Sequence, residues 1–194
     1  MFVLDIETCG VESNAVILSV ALVYVDTKTK PDWESLYQNT LFLKLSIRDQ
    51  IENYERLVDK NTIAWWQKQC DIAKNMSFIP KKSDLTAKEA VQCLRNYVKE
   101  QSSTPKTDTI WVRGSIDQIC LDSLFNKMGE ERLFPFYNYR DVRTFLEFCT
   151  ETGSRGYSEI DPEQYPGTWN REIVVKHMPQ DDICLDALML LYGK

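Results

Sequence analysis

The sequence predicts an α/β protein, a mixed sheet of about five strands flanked by helices. Three observations lead there. Two apolar strands open the chain, a third, alternating segment follows, and from Thr62 onward helical periodicity alternates with short β-branched runs.

Met1 to Ile6 reads as a short apolar strand, and Ala15 to Val25 as a longer, nearly continuous one. The second is rich in Val and Ile, which suits the centre of a sheet. After a polar turn from Asp26 to Asp32, Leu41, Leu43 and Leu45 alternate with Phe42 and Lys44, as in a third strand returning antiparallel. A three-stranded meander results.

From Thr62 the period changes, with Ile63, Trp66 and Cys70 on one helical face. A second helix opens at Thr86, where Thr86 and Glu89 match a capping box and Ala90, Leu94, Tyr97 and Val98 form an apolar stripe. Thr109 to Arg113 is a short strand, Gly114 a turn, and Ser115 the cap of a helix carrying Ile116, Cys120, Leu124 and Phe125. Phe134 to Tyr139 reads as the fifth strand, with a helix near Asp141 to Cys149. Thr150 to Lys176, broken by glycines and prolines at 153, 156, 162, 166 and 167, reads as a long surface excursion. Pro179 suits the first turn of a last helix with Ile183, Ala187, Leu188 and Leu191. A meander followed by strand-helix-strand crossovers makes the later strands parallel, the ribonuclease H-like layout.

The 194 residues, 43% hydrophobic, support one sizeable core, so residues 1–194 are expected to form a single domain. No apolar run approaches the roughly 20 residues that span a bilayer, and the N-terminal residues lack the features of a secretory signal. A soluble cytoplasmic protein without membrane partners is the expectation. The six cysteines never form C-x-x-C, and most stand among apolar neighbours, as buried free thiols would. With one histidine and no paired cysteines, a tetrahedral zinc site has few ligands to draw on. A net charge of −6 argues against a protein that coats duplex DNA and fits a small grip on one strand.

The chemistry begins at Asp5 and Glu7. Two apart on a strand, they project from one face while Leu4 and Ile6 take the other. Neighbouring anions raise each other's pKa, and a hard divalent ion such as Mg²⁺ or Mn²⁺ relieves the repulsion. An isolated D-x-E says little, but here it extends to Asp-Ile-Glu-Thr-Cys-Gly at residues 5–10, at the end of a hydrophobic strand. Asp117 stands in the first turn of a helix just after a strand, where the helix dipole favours a carboxylate. His177, the single histidine, precedes Asp182 by five residues. An imidazole exchanges protons near neutral pH and can serve as a general base. Asp181 is the decoy beside Asp182.

D-x-E-T-x-G, a helix-borne aspartate in mid-chain and H-x-x-x-x-D near the end together resemble the DEDDh exonucleases. The stretch from His177 to Ala187 resembles that family's H-N-A-L-D-D-A signature, departing from it at Met178 and Ile183. Thr62 to Gln67 (TIAWWQ), Trp111 to Gly114 (WVRG) and Tyr139 to Arg143 (YRDVR) bring the resemblance closer to the phage exonuclease A type and its bacterial exoribonuclease relatives.

The resemblance implies a metal-dependent 3'-5' exonuclease acting on single-stranded DNA or RNA 3' ends, in a bacterial cell or a phage-infected host. It implies two Mg²⁺ or Mn²⁺ ions, with Asp5 bridging them, Glu7 and Asp182 completing one site, Asp117 supporting the other and His177 as base. It also includes dimers, and it places the loop of Thr8, Cys9 and Gly10 at the terminal sugar and base. Adjacent Trp65 and Trp66 point about 100 degrees apart on a helix, so one is expected in the core and the other free to stack on a base. Arg113, Arg140 and Arg143 are candidate phosphate contacts or partners of neighbouring acids. The alternatives are an RNA-specific trimming enzyme and, in another class, an inactive nuclease-fold binding module.

Overall fold

A computed structural model describes residues 1–149, 165–170 and 172–193. Its five-stranded sheet runs in the order β3-β2-β1-β4-β5, from β1 (Phe2–Thr8), β2 (Ile17–Tyr24), β3 (Leu41–Lys44), β4 (Ile110–Val112) and β5 (Tyr139–Asp141). β1, β2 and β3 pair antiparallel, while β4 joins β1 and β5 joins β4 in parallel. The α/β class and the mixed sheet are as expected, and they are consistent with a ribonuclease H-like fold.

β1 alternates as its sequence requires. Phe2, Leu4 and Ile6 enter one core with α5 (Ala87–Gln101) and α6 (Ile116–Lys127). Val3 enters a second core with α8 (Pro179–Tyr192), which puts Asp5 and Glu7 on the α8 side of the sheet. The register slips between Glu7 and Thr8, a bulge of the kind that re-aims side chains beside functional sites. α8 is buried over most of its circumference, and Pro179 occupies its first turn. The Thr86–Glu89 capping box is present with both reciprocal bonds.

Several expectations are corrected. The passage from β2 to β3 contains a helix, α1 (Trp33–Asn39), capped by Asp32 and anchored by Trp33, which stacks on Trp169 at 5.8 Å. Ser46 caps a further helix, α2 (Ile47–Tyr54), and Asp59 starts α3 (Lys60–Trp66) two residues before Thr62. Cys70 does not join the buried face of α3: it is exposed and caps α4 (Asp71–Ala73), which runs into a π-helical turn over Lys74–Phe78. The fifth strand begins at Tyr139, because its parallel register pairs Tyr139 with Ile110, and Phe136–Asn138 is a 3₁₀ turn exposing Phe136 and Tyr137. Ser115 stands at the N-cap of α6 but makes no side-chain cap bond. The helix expected near Asp141 to Cys149 is α7 (Val142–Cys149).

Cys9, Cys120 and Cys184 are buried free thiols, whereas Cys70 and Cys149 are exposed. Most of the expected excursion from Thr150 to Lys176 lies outside the described residues. No helix among the described residues is long and apolar enough to cross a membrane.

Candidate active site

The C-terminal end of β1, the turn after β4, α3 and the start of α8 enclose a cleft of about 800 Å³, a size suited to a nucleotide. Asp5, Glu7, Asp117, His177 and Asp182 all line it. Each arrives by a different route. Asp5 and Glu7 come from β1, and Asp182 faces them from the first turn of α8. Asp117 reaches the same cleft because Gly114, at a φ of 93° that disfavours side chains, turns the chain sharply from β4 into α6. The Gly114 N–H donates to the Asp141 carboxylate at 2.7 Å, tying this turn to β5.

One carboxylate oxygen from each of Asp5, Glu7 and Asp182 lies within 4.8 Å of the others, close enough to share a cation. Asp117 Oδ2 and Asp182 Oδ1 are buried without a hydrogen-bond partner. Buried carboxylate oxygens left without donors, among like charges, fit a hard divalent cation and an oxygen ligand set.

The electrostatics agree. Burial first, then Asp117, Glu7, Asp182 and Asp186, holds the Asp5 carboxyl well above the usual carboxylate range. Burial and then Glu7 and Asp186 do the same for Asp117 and Asp182, with Arg113 partly opposing the shift at Asp182. Glu7 is raised by burial and held back by His177, whose Nδ1 stands 3.7 Å from its Oε1.

A pH dependence follows from these directions. Each raised carboxyl keeps its proton in the folded chain after the unfolded chain has lost it, so this stability is complete below the unfolded value of about 4 and is lost as pH rises through the folded values. Calorimetry in EDTA should therefore give a melting temperature that falls as pH rises above about 4, with Mg²⁺ restoring more at higher pH. A flat profile with and without Mg²⁺ would contradict the assignment.

His177 adopts a φ of 64°, uncommon for a residue with a side chain, and its ring meets Trp65 edge-on at 4.6 Å between centroids. Trp65 is 40% exposed and lines the cleft. Trp66 is fully buried, stacks on Phe78 and donates its indole N–H to the Thr8 carbonyl at 3.0 Å. The two tryptophans divide as their helical offset requires.

The remaining candidates separate. Thr8 and Gly10 line the cleft, but Cys9 is turned into a core with Val16, Leu18, Trp66 and Ala73, and burial pushes its thiol up to about 12. Arg113 lines the cleft while donating to Asp186 at 3.0 Å from Nε and 2.5 Å from Nη2, a buried ion pair. Arg140 is exposed, outside the cleft lining, and donates to the carbonyls of Tyr137 and Tyr139. Arg143 does line the cleft.

Sequence reasoning passed over Asp186, although a carboxylate four residues after Asp182 on an otherwise apolar helix was a visible signal. Asp181 proves to be a buried group that accepts from the Val175 N–H, and its burial pushes the carboxyl up to about 6. Arg56 is also buried, donating to the carbonyls of Ser13 and Ala15, just after the cleft-lining Glu12, and of Cys120 in α6.

Comparison with curated proteins finds no match. The family model of the 3'-5' exoribonuclease Rv2179c-like domain matches residues 1–168, a span that includes Asp5, Glu7 and Asp117 and ends before His177 and Asp182. With most of its length matched, the chain belongs to the Rv2179c-like 3'-5' exoribonuclease family.

Proposed function

We propose that this protein is a metal-dependent 3'-5' exoribonuclease that removes nucleoside 5'-monophosphates from single-stranded RNA 3' ends. The observation that carries this reading is the convergence of the Asp5, Glu7 and Asp182 carboxylates within 4.8 Å, in a cleft shared with Asp117 and His177. The family description favours RNA over DNA.

Asp5, Glu7 and Asp182 would hold one Mg²⁺ or Mn²⁺, and Asp5 with Asp117 a second. When bound, such a pair of cations eases ionisation of the attacking water and stabilises the charge developing on the leaving 3' oxygen. His177 takes the proton of the water from its place beside Glu7, and at 37% side-chain exposure it can pass that proton to solvent. Trp65, exposed at the mouth, offers a face on which the terminal base stacks irrespective of sequence.

Matched RNA and DNA oligonucleotides labelled at the 5' end test this reading in Mg²⁺, Mn²⁺ or EDTA. A ladder shortening from the 3' end of RNA, absent in EDTA, is expected. Cleavage that persists in EDTA, shortening from the 5' end, or uniform internal cuts would overturn it. In the same assay Trp65→Ala should raise KM by about 5- to 150-fold, the equivalent of a stacking contact, and leave kcat nearly unchanged. An unaltered KM would remove Trp65 from the binding surface.

A further inference from the structure

Asp181 is a buried carboxylate that the proposed chemistry does not use, and its bonding suggests a different task. Its Oδ2 accepts the Val175 N–H at 2.7 Å. Val175 opens a four-residue turn closed by the Met178 N–H donating to the Val175 carbonyl at 3.3 Å. The Met178 carbonyl in turn accepts the N–H groups of Asp181 and Asp182 at 2.9 and 3.0 Å. Both ends of the turn are thus fastened to the start of α8. His177 is its third residue, with a φ of 64°.

A turn needing positive φ at its third position usually places glycine or asparagine there. Histidine holds that conformation only where surrounding bonds over-determine it. Relaxation of the backbone at His177 to the ordinary region would swing the imidazole away from Glu7 and from its edge-on contact with Trp65.

We propose that Asp181 is a positioning residue that, by gripping the Val175 amide, locks the strained turn and holds His177 beside Glu7. As a statement about catalysis this rests on the role of His177 given above, but as a statement about structure it can be tested alone. His177 is the single histidine of the chain, so its imidazole NMR signals report the turn without overlap.

In Asp181→Ala, and in Asp181→Val, which fills the space but cannot accept a hydrogen bond, the His177 signals should lose the ring-current shift from Trp65 and approach random-coil positions. Asp181→Asn keeps an acceptor oxygen and should retain them. With RNA, the Ala and Val variants should lose about 100-fold in kcat, the scale of a displaced catalytic group, at unchanged KM. In a His177→Ala background, Asp181→Ala should cost nothing further.

Unchanged His177 signals in folded Ala or Val variants would overturn the proposal. A full additional loss in the His177→Ala background, or weakened Mn²⁺ binding in the single variant, would also overturn it, since Asp181 would then act through Asp182 or the fold at large. If the NMR signals move as expected but His177→Ala keeps wild-type activity, Asp181 still positions the ring and the general-base reading is the one that fails.

Discussion

Asp5→Asn should reduce kcat on RNA by about three orders of magnitude or more, the scale seen when one member of a catalytic unit is removed. Asn preserves the volume and one oxygen of Asp5 but removes the charge at the centre of the cluster, where Glu7, Asp117, Asp182 and Asp186 all act on it. The same substitution should raise the melting temperature in EDTA, because a buried like charge has been deleted. Mg²⁺ should then stabilise the variant less than the parent. Loss of activity together with a gain in metal-free stability separates a site held under electrostatic tension from a misfolded variant. An active Asp5→Asn enzyme would sink the metal mechanism, and a destabilised one in EDTA would mean that the carboxylates are satisfied without a cation.

Arg113→Ala should be strongly destabilising, costing about 3–5 kcal/mol, because it removes one member of a buried ion pair. Arg113 and Asp186 have only 7% and 1% of their side chains exposed, and their pair joins the end of β4 to the middle of α8. In a chain of this size that loss lowers the melting temperature by about 6–20 °C. Arg113→Met combined with Asp186→Leu should recover most of it, since an apolar pair of similar volume avoids the buried charges altogether. Thermal and urea unfolding of the three proteins decide the matter. If Arg113→Ala melts like the parent while KM for RNA rises, the guanidinium serves the phosphate and not the fold.

Features governed by local periodicity were legible in the sequence. The strand repeat put Asp5 and Glu7 on one face, the helical offset divided Trp65 from Trp66, and proline and the capping box located α8 and α5. Features decided by distant partners were not. α1 has seven residues, too few to be helical by propensity, and forms where Trp33 and Leu36 meet the α8 core. The start of β5 is set by pairing with β4, which overrides the apolar run before it. At the site, the strained backbone of His177 and the Arg113–Asp186 pair, 73 residues apart in sequence, leave no periodic trace. The inward turn of Cys9 follows the bulge at the end of β1, also invisible in the one-dimensional pattern.

The guanidinium of Arg56 ties the segment from Ser13 to Ala15, behind the Gly10 rim of the cleft, to the Cys120 carbonyl one turn beyond Asp117. Among the described residues its hydrogen-bond partners are neutral carbonyls, and burial lowers its affinity for its proton, so it serves as a rivet between backbones. The segment behind the rim and the helix that carries Asp117 thus share one buried anchor.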